Sequence, residues 1–198
     1  PNSFVVKGDN HYDPSLPPLP YDPNRAKRLI KEANYKGEEL VIETGVGFTV
    51  MDREMGEVIV SMWKDVGINA KLELLEYSVY LQKIREKSFK GLRWTDPTSA
   101  YNDPDGMMWR HLAPGGPNAY WFRNPRFDEL GNAARFSVDE KLRDEAYKEM
   151  ARLELEYLPI IPILQPMELY GLQKHVDWKP YANQMMEFRR FNLKLKRA

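Results

Sequence analysis

The chain has 198 residues, no cysteine, 42% hydrophobic and 29% charged residues, with 29 Lys and Arg balanced by 29 Asp and Glu. That length can bury a real core, as one large or two small domains, in proportions ordinary for a globular protein. Zero formal charge argues against a nucleic-acid binder, which draws its affinity from a basic excess, and the lack of cysteine excludes disulfides, zinc–thiolate sites and thiol catalysis. No run approaches the roughly 18 apolar residues of a membrane span. The opening Pro1-Asn2-Ser3 has neither a methionine nor a signal-peptide pattern and reads as a cut edge.

Residues 1–21, with Pro14, Pro17, Pro18 and Pro20, read as an extended surface arm. Tyr21-Asp22-Pro23 then starts a helix, with Asp22 as cap, Pro23 at the first helical position and Ala26, Leu29, Ile30 and Ala33 as its apolar stripe. Gly37 marks a turn before a short β-prone run, residues 40–44. Thr49 is a plausible cap for a second helix whose buried face comprises Met51, Met55, Val58, Ile59, Met62, Trp63 and Val66. Gly67 stops it, and the alternation from Ile68 to Leu74 predicts a strand. A third helix fits 78–87, with Tyr80, Leu81 and Ile84 inward, and 89–94 has the length of a third strand.

Beyond the aromatic segment described next, Asn124-Pro125 begins a short helix through Phe127, Leu130 and Ala134. The spacing Ser137-Val138-Asp139-Glu140 resembles a capping box ahead of the longest helix, with Leu142, Ala146, Met150, Leu153 and Tyr157 in phase. Runs 160–165 and 169–172 read as strands, and the tail from Trp178 is aromatic and basic without a clean period. Helices alternating with strands argue for an α/β fold in three layers, a mixed β-sheet flanked by helices.

Between Trp94 and Phe122 rings are threaded through turn-formers: Trp94-Thr95-Asp96-Pro97, Tyr101-Asn102-Asp103-Pro104-Asp105-Gly106, Trp109 and Tyr120-Trp121-Phe122. Large rings on loops need something to cover them, either the domain itself, another domain or a flat ligand. Catalytic alternatives fail. His11, His111 and His175 lack metal-ligand spacing and read as surface or structural residues. The 102–106 loop puts Tyr101 and Leu112 where a calcium loop needs carboxylates. Gly45-Val46-Gly47-Phe48 has neither a dinucleotide fingerprint nor a phosphate loop, and no serine sits in a nucleophile elbow. Asp103 and Asp105 read as turn-formers, and Asp96 is more open. No catalytic residue, metal site or cofactor is assigned.

The order of these signals resembles the C-terminal half of the family 5 extracellular solute-binding proteins. It is carried by the stretches 21–30 (Tyr-Asp-Pro-Asn-Arg-Ala-Lys-Arg-Leu-Ile) and 63–68 (Trp-Lys-Asp-Val-Gly-Ile), the tryptophan followed by Asn-Asp-Pro-Asp, and the stretches 124–130 and 158–163. The resemblance implies a periplasmic-binding-protein-like lobe over 22–176, with 177–198 returning towards a missing N-terminal lobe. It also implies a non-enzymatic, periplasmic or extracellular receptor that hands a small-molecule ligand to the membrane subunits of an ABC importer. Trp94 matches the family's cleft tryptophan. Peptide-binding members carry an aspartate in the following loop that anchors the ligand's ammonium, but here the matching registers fall on Pro97 and Ala100 beside Asp96. A cleft of indoles and phenols suits pyranose rings, whose C–H faces stack while their hydroxyls take hydrogen bonds. The expected ligand is therefore an oligosaccharide, with an oligopeptide as the alternative and a carbohydrate-active enzyme fragment as a third reading. The expected contacts are Trp94, Thr95, Asp96, Tyr101, Asn102, Trp109 and Trp121.

Overall fold

The computed structural model describes residues 3–49, 51–96, 103–165, 167–181 and 186–196. They form two compact units, Pro20–Asp96 on one hand and Pro1–Leu19 with Pro97–Ala198 on the other. No helix among the described residues is long and apolar enough to cross a membrane.

The first unit is a small three-layer sandwich. Helix α1 (Pro23–Glu32) starts as predicted, with the Asp22 carboxylate accepting the Arg25 N–H at 2.8 Å. Strand β1 (Leu40–Gly45) lies between β2 (Ala70–Leu75) and β3 (Leu92–Arg93), both parallel to it. Helix α2 (Asp52–Val66) links β1 to β2, and α3 (Tyr77–Glu86) links β2 to β3. Because successive strand residues face opposite ways, β1 serves both layers. Ile42 joins Val60, Ile59 and Trp63 on the α2 side. Glu43, fully buried, pairs with Lys83 of α3, and Gly45 leaves room for the Tyr80 ring.

Several expectations change here. The cap of α2 is not Thr49: Met51 takes that position in a left-handed conformation, and Asp52 reaches back to accept the N–H groups of Phe48 (3.0 Å) and Thr49 (3.4 Å). The buried stripe of α2 is rotated, running through Asp52, Gly56 and Val60 while Met51, Val58 and Met62 stay exposed. Gly56 explains the rotation, since a Cβ there would meet Leu72 Cδ1 at 2.7 Å, so the helix approaches β2 along its glycine. β3 is shorter than predicted, although the Trp94 N–H still reaches Glu43 O at 2.9 Å.

The second unit is mainly helical. A π-helical turn (Asp105–Trp109) runs into α4 (Arg110–Leu112), followed by α5 (Pro125–Arg135) and α6 (Glu140–Tyr157). Its core gathers Met108, Trp109, Leu112, Phe127, Tyr147 and Met150. Asn124 caps α5 as predicted. For α6 the cap is Asp139, which accepts the N–H groups of Lys141 and Leu142, while Ser137 Oγ accepts the Asp139 N–H. The mixed sheet resolves into the parallel sheet above and a separate antiparallel pair, β4 (Val176–Trp178) with β5 (Leu193–Leu195), in the tail that showed no period. Among the described residues, 160–165 and 169–172 form no strand, and Ile161, Ile163, Leu164 and Leu169 are exposed.

The N-terminal stretch is not simply a surface arm. Phe4 and Val5 are buried in the helical core, and Asp13 pairs with Arg152 at 2.9 Å. Glu154 of α6, fully buried, accepts Ser3 Oγ–H at 2.9 Å and the Phe4 N–H at 3.2 Å. Burial pushes its carboxyl up from 4.5 to about 7, against the opposing effect of the Ser3 and Phe4 hydrogen bonds. The folded state therefore holds this proton more tightly than the unfolded chain. The associated stability is full below about pH 4.5 and is lost as pH rises through about 7, a difference of roughly 3 kcal/mol. Glu154→Gln is expected to remove that component, gaining on the wild type at pH 8 but not at pH 4. Urea denaturation at the two pH values checks this, and equal differences at both would refute it.

Candidate functional site

In a parallel sheet with helices on both faces, ligands bind beyond the carboxyl ends of the strands, where connections leave in opposite directions. With the strand order β2-β1-β3, that point lies beyond β1 and β3. The residues leaving those two ends are Val46–Thr49 and Trp94–Asp96, and they meet. The Trp94 indole N–H donates to Thr49 Oγ1 at 3.0 Å, and the Tyr80 hydroxyl donates to Trp94 O at 2.5 Å. The Phe48 ring lies 4.9 Å from Tyr80 and 6.4 Å from Tyr77. Phe48, Tyr77 and Trp94 thus form an aromatic collar at the carboxyl edge of the sheet, with Tyr80, fully buried, packed beneath it as support. Arg93 Nη2 donates to Thr95 Oγ1 at 3.3 Å, and Asp96 follows with its side chain exposed.

The other predicted contacts belong to the second unit or lie outside the described residues. Trp109 belongs to the second unit and is only 2% exposed, its indole packed against Phe127 at 6.0 Å and lying on Gly131. It fills the core and lines no surface, which corrects its reading as a ligand contact. Trp121, in the same unit, is 39% exposed and stacks edge-on against Tyr120 at 4.4 Å. Tyr101 and Asn102 lie outside the described residues. Asp103 behaves as a turn-former: one carboxylate oxygen accepts the Asp105 N–H at 3.0 Å and the other meets Arg143 at 2.6 Å. Among the described residues no group of three His, Cys, Asp or Glu could hold a metal ion.

Phe48, Thr49 and Tyr77 were not anticipated at the site. The available signal was the glycine-bearing turn after β1, which in a parallel sheet places its residues at the carboxyl edge. The collar offers flat apolar walls with a carboxylate and a guanidinium close in sequence, which suits binding a small amphipathic molecule and provides no reacting constellation.

Comparison with known proteins fits this architecture. Residues 1–119 match the model of the bacterial extracellular solute-binding proteins, family 5, middle region. The chain belongs to that family, which consists of binding proteins rather than enzymes. It is 29% identical over 175 residues to a di/tripeptide-binding protein 2 of Pseudomonas aeruginosa, covering 84% of this chain and 32% of that protein. Among solved structures, HbpA2 from Haemophilus parasuis superposes with a TM-score of 0.78 at 24% identity, over 98% of this chain and 39% of the other. A dipeptide-binding protein from Pseudoalteromonas sp. SM9913, in complex with Met-Leu, does so with a TM-score of 0.69 at 23% identity, over 80% and 33%. The chain therefore spans about a third of the length of the curated relatives it matches. These relatives are named mostly for peptides and none for oligosaccharides, so the saccharide expectation gains no support from them.

Proposed function

We infer that this chain is one lobe of the substrate-binding protein of an ABC importer, working outside the cytoplasmic membrane and taking short peptides. The observation that carries the reading is the collar of Trp94, Phe48 and Tyr77, backed by buried Tyr80, at the carboxyl edge of a parallel sheet, in a chain related to proteins named for di- and tripeptides. Aromatic walls accept apolar side chains, and the exposed carboxylate of Asp96 is the group near Trp94 suited to a peptide ammonium, whose desolvation is costly without a counter-charge. Thr95, Tyr101, Asn102 and Trp121 remain in the proposed contact set. The rest of the receptor supplies the opposing wall, and the importer's membrane subunits take the ligand.

The test titrates the receptor-length protein containing this chain with di- to pentapeptides and with β-linked disaccharides, following tryptophan fluorescence. A response to peptides with silence towards disaccharides is expected. The reverse pattern would reinstate the oligosaccharide.

A further inference from the structure

We propose that Thr49 is a positioning residue for ligand recognition: by accepting the Trp94 indole N–H it fixes the ring and makes Trp94 an apolar wall rather than a hydrogen-bond donor. The proposal deepens the peptide-receptor reading above and rests on it.

Three tethers converge on Trp94. Its main-chain N–H extends the β1 pairing through Glu43 O at 2.9 Å, its carbonyl accepts the Tyr80 hydroxyl at 2.5 Å, and its indole N–H reaches Thr49 Oγ1 at 3.0 Å. The first two hold the backbone, and among the described residues the third holds the ring. Thr49 is itself fixed, because the buried carboxylate of Asp52 accepts its N–H at 3.4 Å and that of Phe48 at 3.0 Å. The acceptor thus sits on a turn braced by the first residue of α2 and by the Phe48–Tyr80 ring contact at 4.9 Å.

An indole on a chain segment with little regular structure has rotamer freedom, and ordering it on binding costs affinity. A tether already made in the free lobe removes that cost. It also sets the kind of contact. With its donor engaged, the ring recognises a ligand through surface burial, which grades apolar side chains by size and gives no directed bond to a ligand carbonyl or hydroxyl. This arrangement favours aliphatic and aromatic peptide side chains over polar ones.

The experiment uses the receptor-length protein, with dipeptides built from alanine, leucine, phenylalanine and serine as probes. Thr49→Val removes the acceptor at nearly constant shape, Thr49→Ala removes it a second way, Thr49→Ser restores it, and Trp94→Ala removes the wall. The readouts are the Trp94 indole ¹H–¹⁵N resonance, the melting temperature and dipeptide affinity by fluorescence. Expected results are a shifted indole resonance and about five- to tenfold weaker binding of leucine and phenylalanine dipeptides in Thr49→Val and Thr49→Ala, at unchanged melting temperature, with both restored in Thr49→Ser. Trp94→Ala is expected to lose the preference for these dipeptides over serine ones. If Trp94→Ala weakens binding while Thr49→Val and Thr49→Ala bind like the wild type, the positioning role is overturned and the receptor reading stands. Affinity that falls only with melting temperature, without rescue by serine, overturns it in favour of a structural role. A wild-type protein silent to every dipeptide overturns both.

Discussion

Trp109→Ala is expected to lower the unfolding free energy by about 3–5 kcal/mol, the range for removing a buried tryptophan from a core that relaxes only partly. The indole is held between Phe127 and the backbone of Gly131, where a Cβ would come within 2.1 Å of ring carbon Cε3. A rigid ring cannot yield that distance, so Gly131→Ala is expected to destabilise in the same direction through overpacking. Trp109→Phe should cost less than truncation. Among the described residues the indole N–H has no acceptor, and phenylalanine removes that buried donor while keeping most of the ring. Urea denaturation of the three variants checks the order. A Trp109→Ala protein as stable as the wild type would mean that this ring does not hold the 105–112 segment in place.

The second large effect is expected at Lys83. Glu43 is fully buried at the centre of β1, its carboxylate paired with the Lys83 ammonium and accepting the Lys90 N–H at 2.6 Å. Lys83→Met leaves a buried carboxylate without its cation, a change that costs about 3–5 kcal/mol when one partner of such a pair is removed. The double variant Lys83→Met/Glu43→Gln should recover much of that loss, because the uncompensated charge goes with it. Thermal melts of the single and double variants provide the measurement, and no recovery would refute the pairing as the source of the cost. The consequence extends to the site. Through Lys90 and the Glu43 carbonyl the same residue holds the turn into β3 and the N–H of Trp94, so a weakened pair should also blur the ligand response.

Features decided within a few residues were legible in the sequence. Asp22-Pro23 and Asn124-Pro125 each bring cap and first turn together, and both helices begin there. The strands at 40–45 and 70–75 followed from short apolar or alternating runs. What depended on distant partners was not legible. Nothing near Thr49 says that its hydroxyl serves an indole 45 residues away, and so it reads as a helix cap. The buried face of α2 turns on the fit between Gly56 and Leu72 of β2, which no helical period encodes. Trp94 and Trp109 look alike in a turn-rich context, and their fates differ because Gly131 receives one while the other ends a strand of the open sheet. The ligand class was not legible for a related reason. Rings report that a flat or apolar surface is wanted, but the choice between sugar and peptide rests on polar groups whose placement the sequence does not give.

The run from Ile160 to Leu172 carries a hazard and its own safeguard. Its exposed Ile161, Ile163, Leu164 and Leu169 are the side chains that stack readily into fibrils once extended segments of neighbouring molecules align. Pro159, Pro162 and Pro166 each lack an amide hydrogen, so an intermolecular ladder through residues 159–166 is interrupted every few residues. Pro159, just past the end of α6, and Pro162 and Pro166 beyond it are thus placed as gatekeepers, and replacing them is expected to make this adhesive stretch more prone to amyloid-like growth.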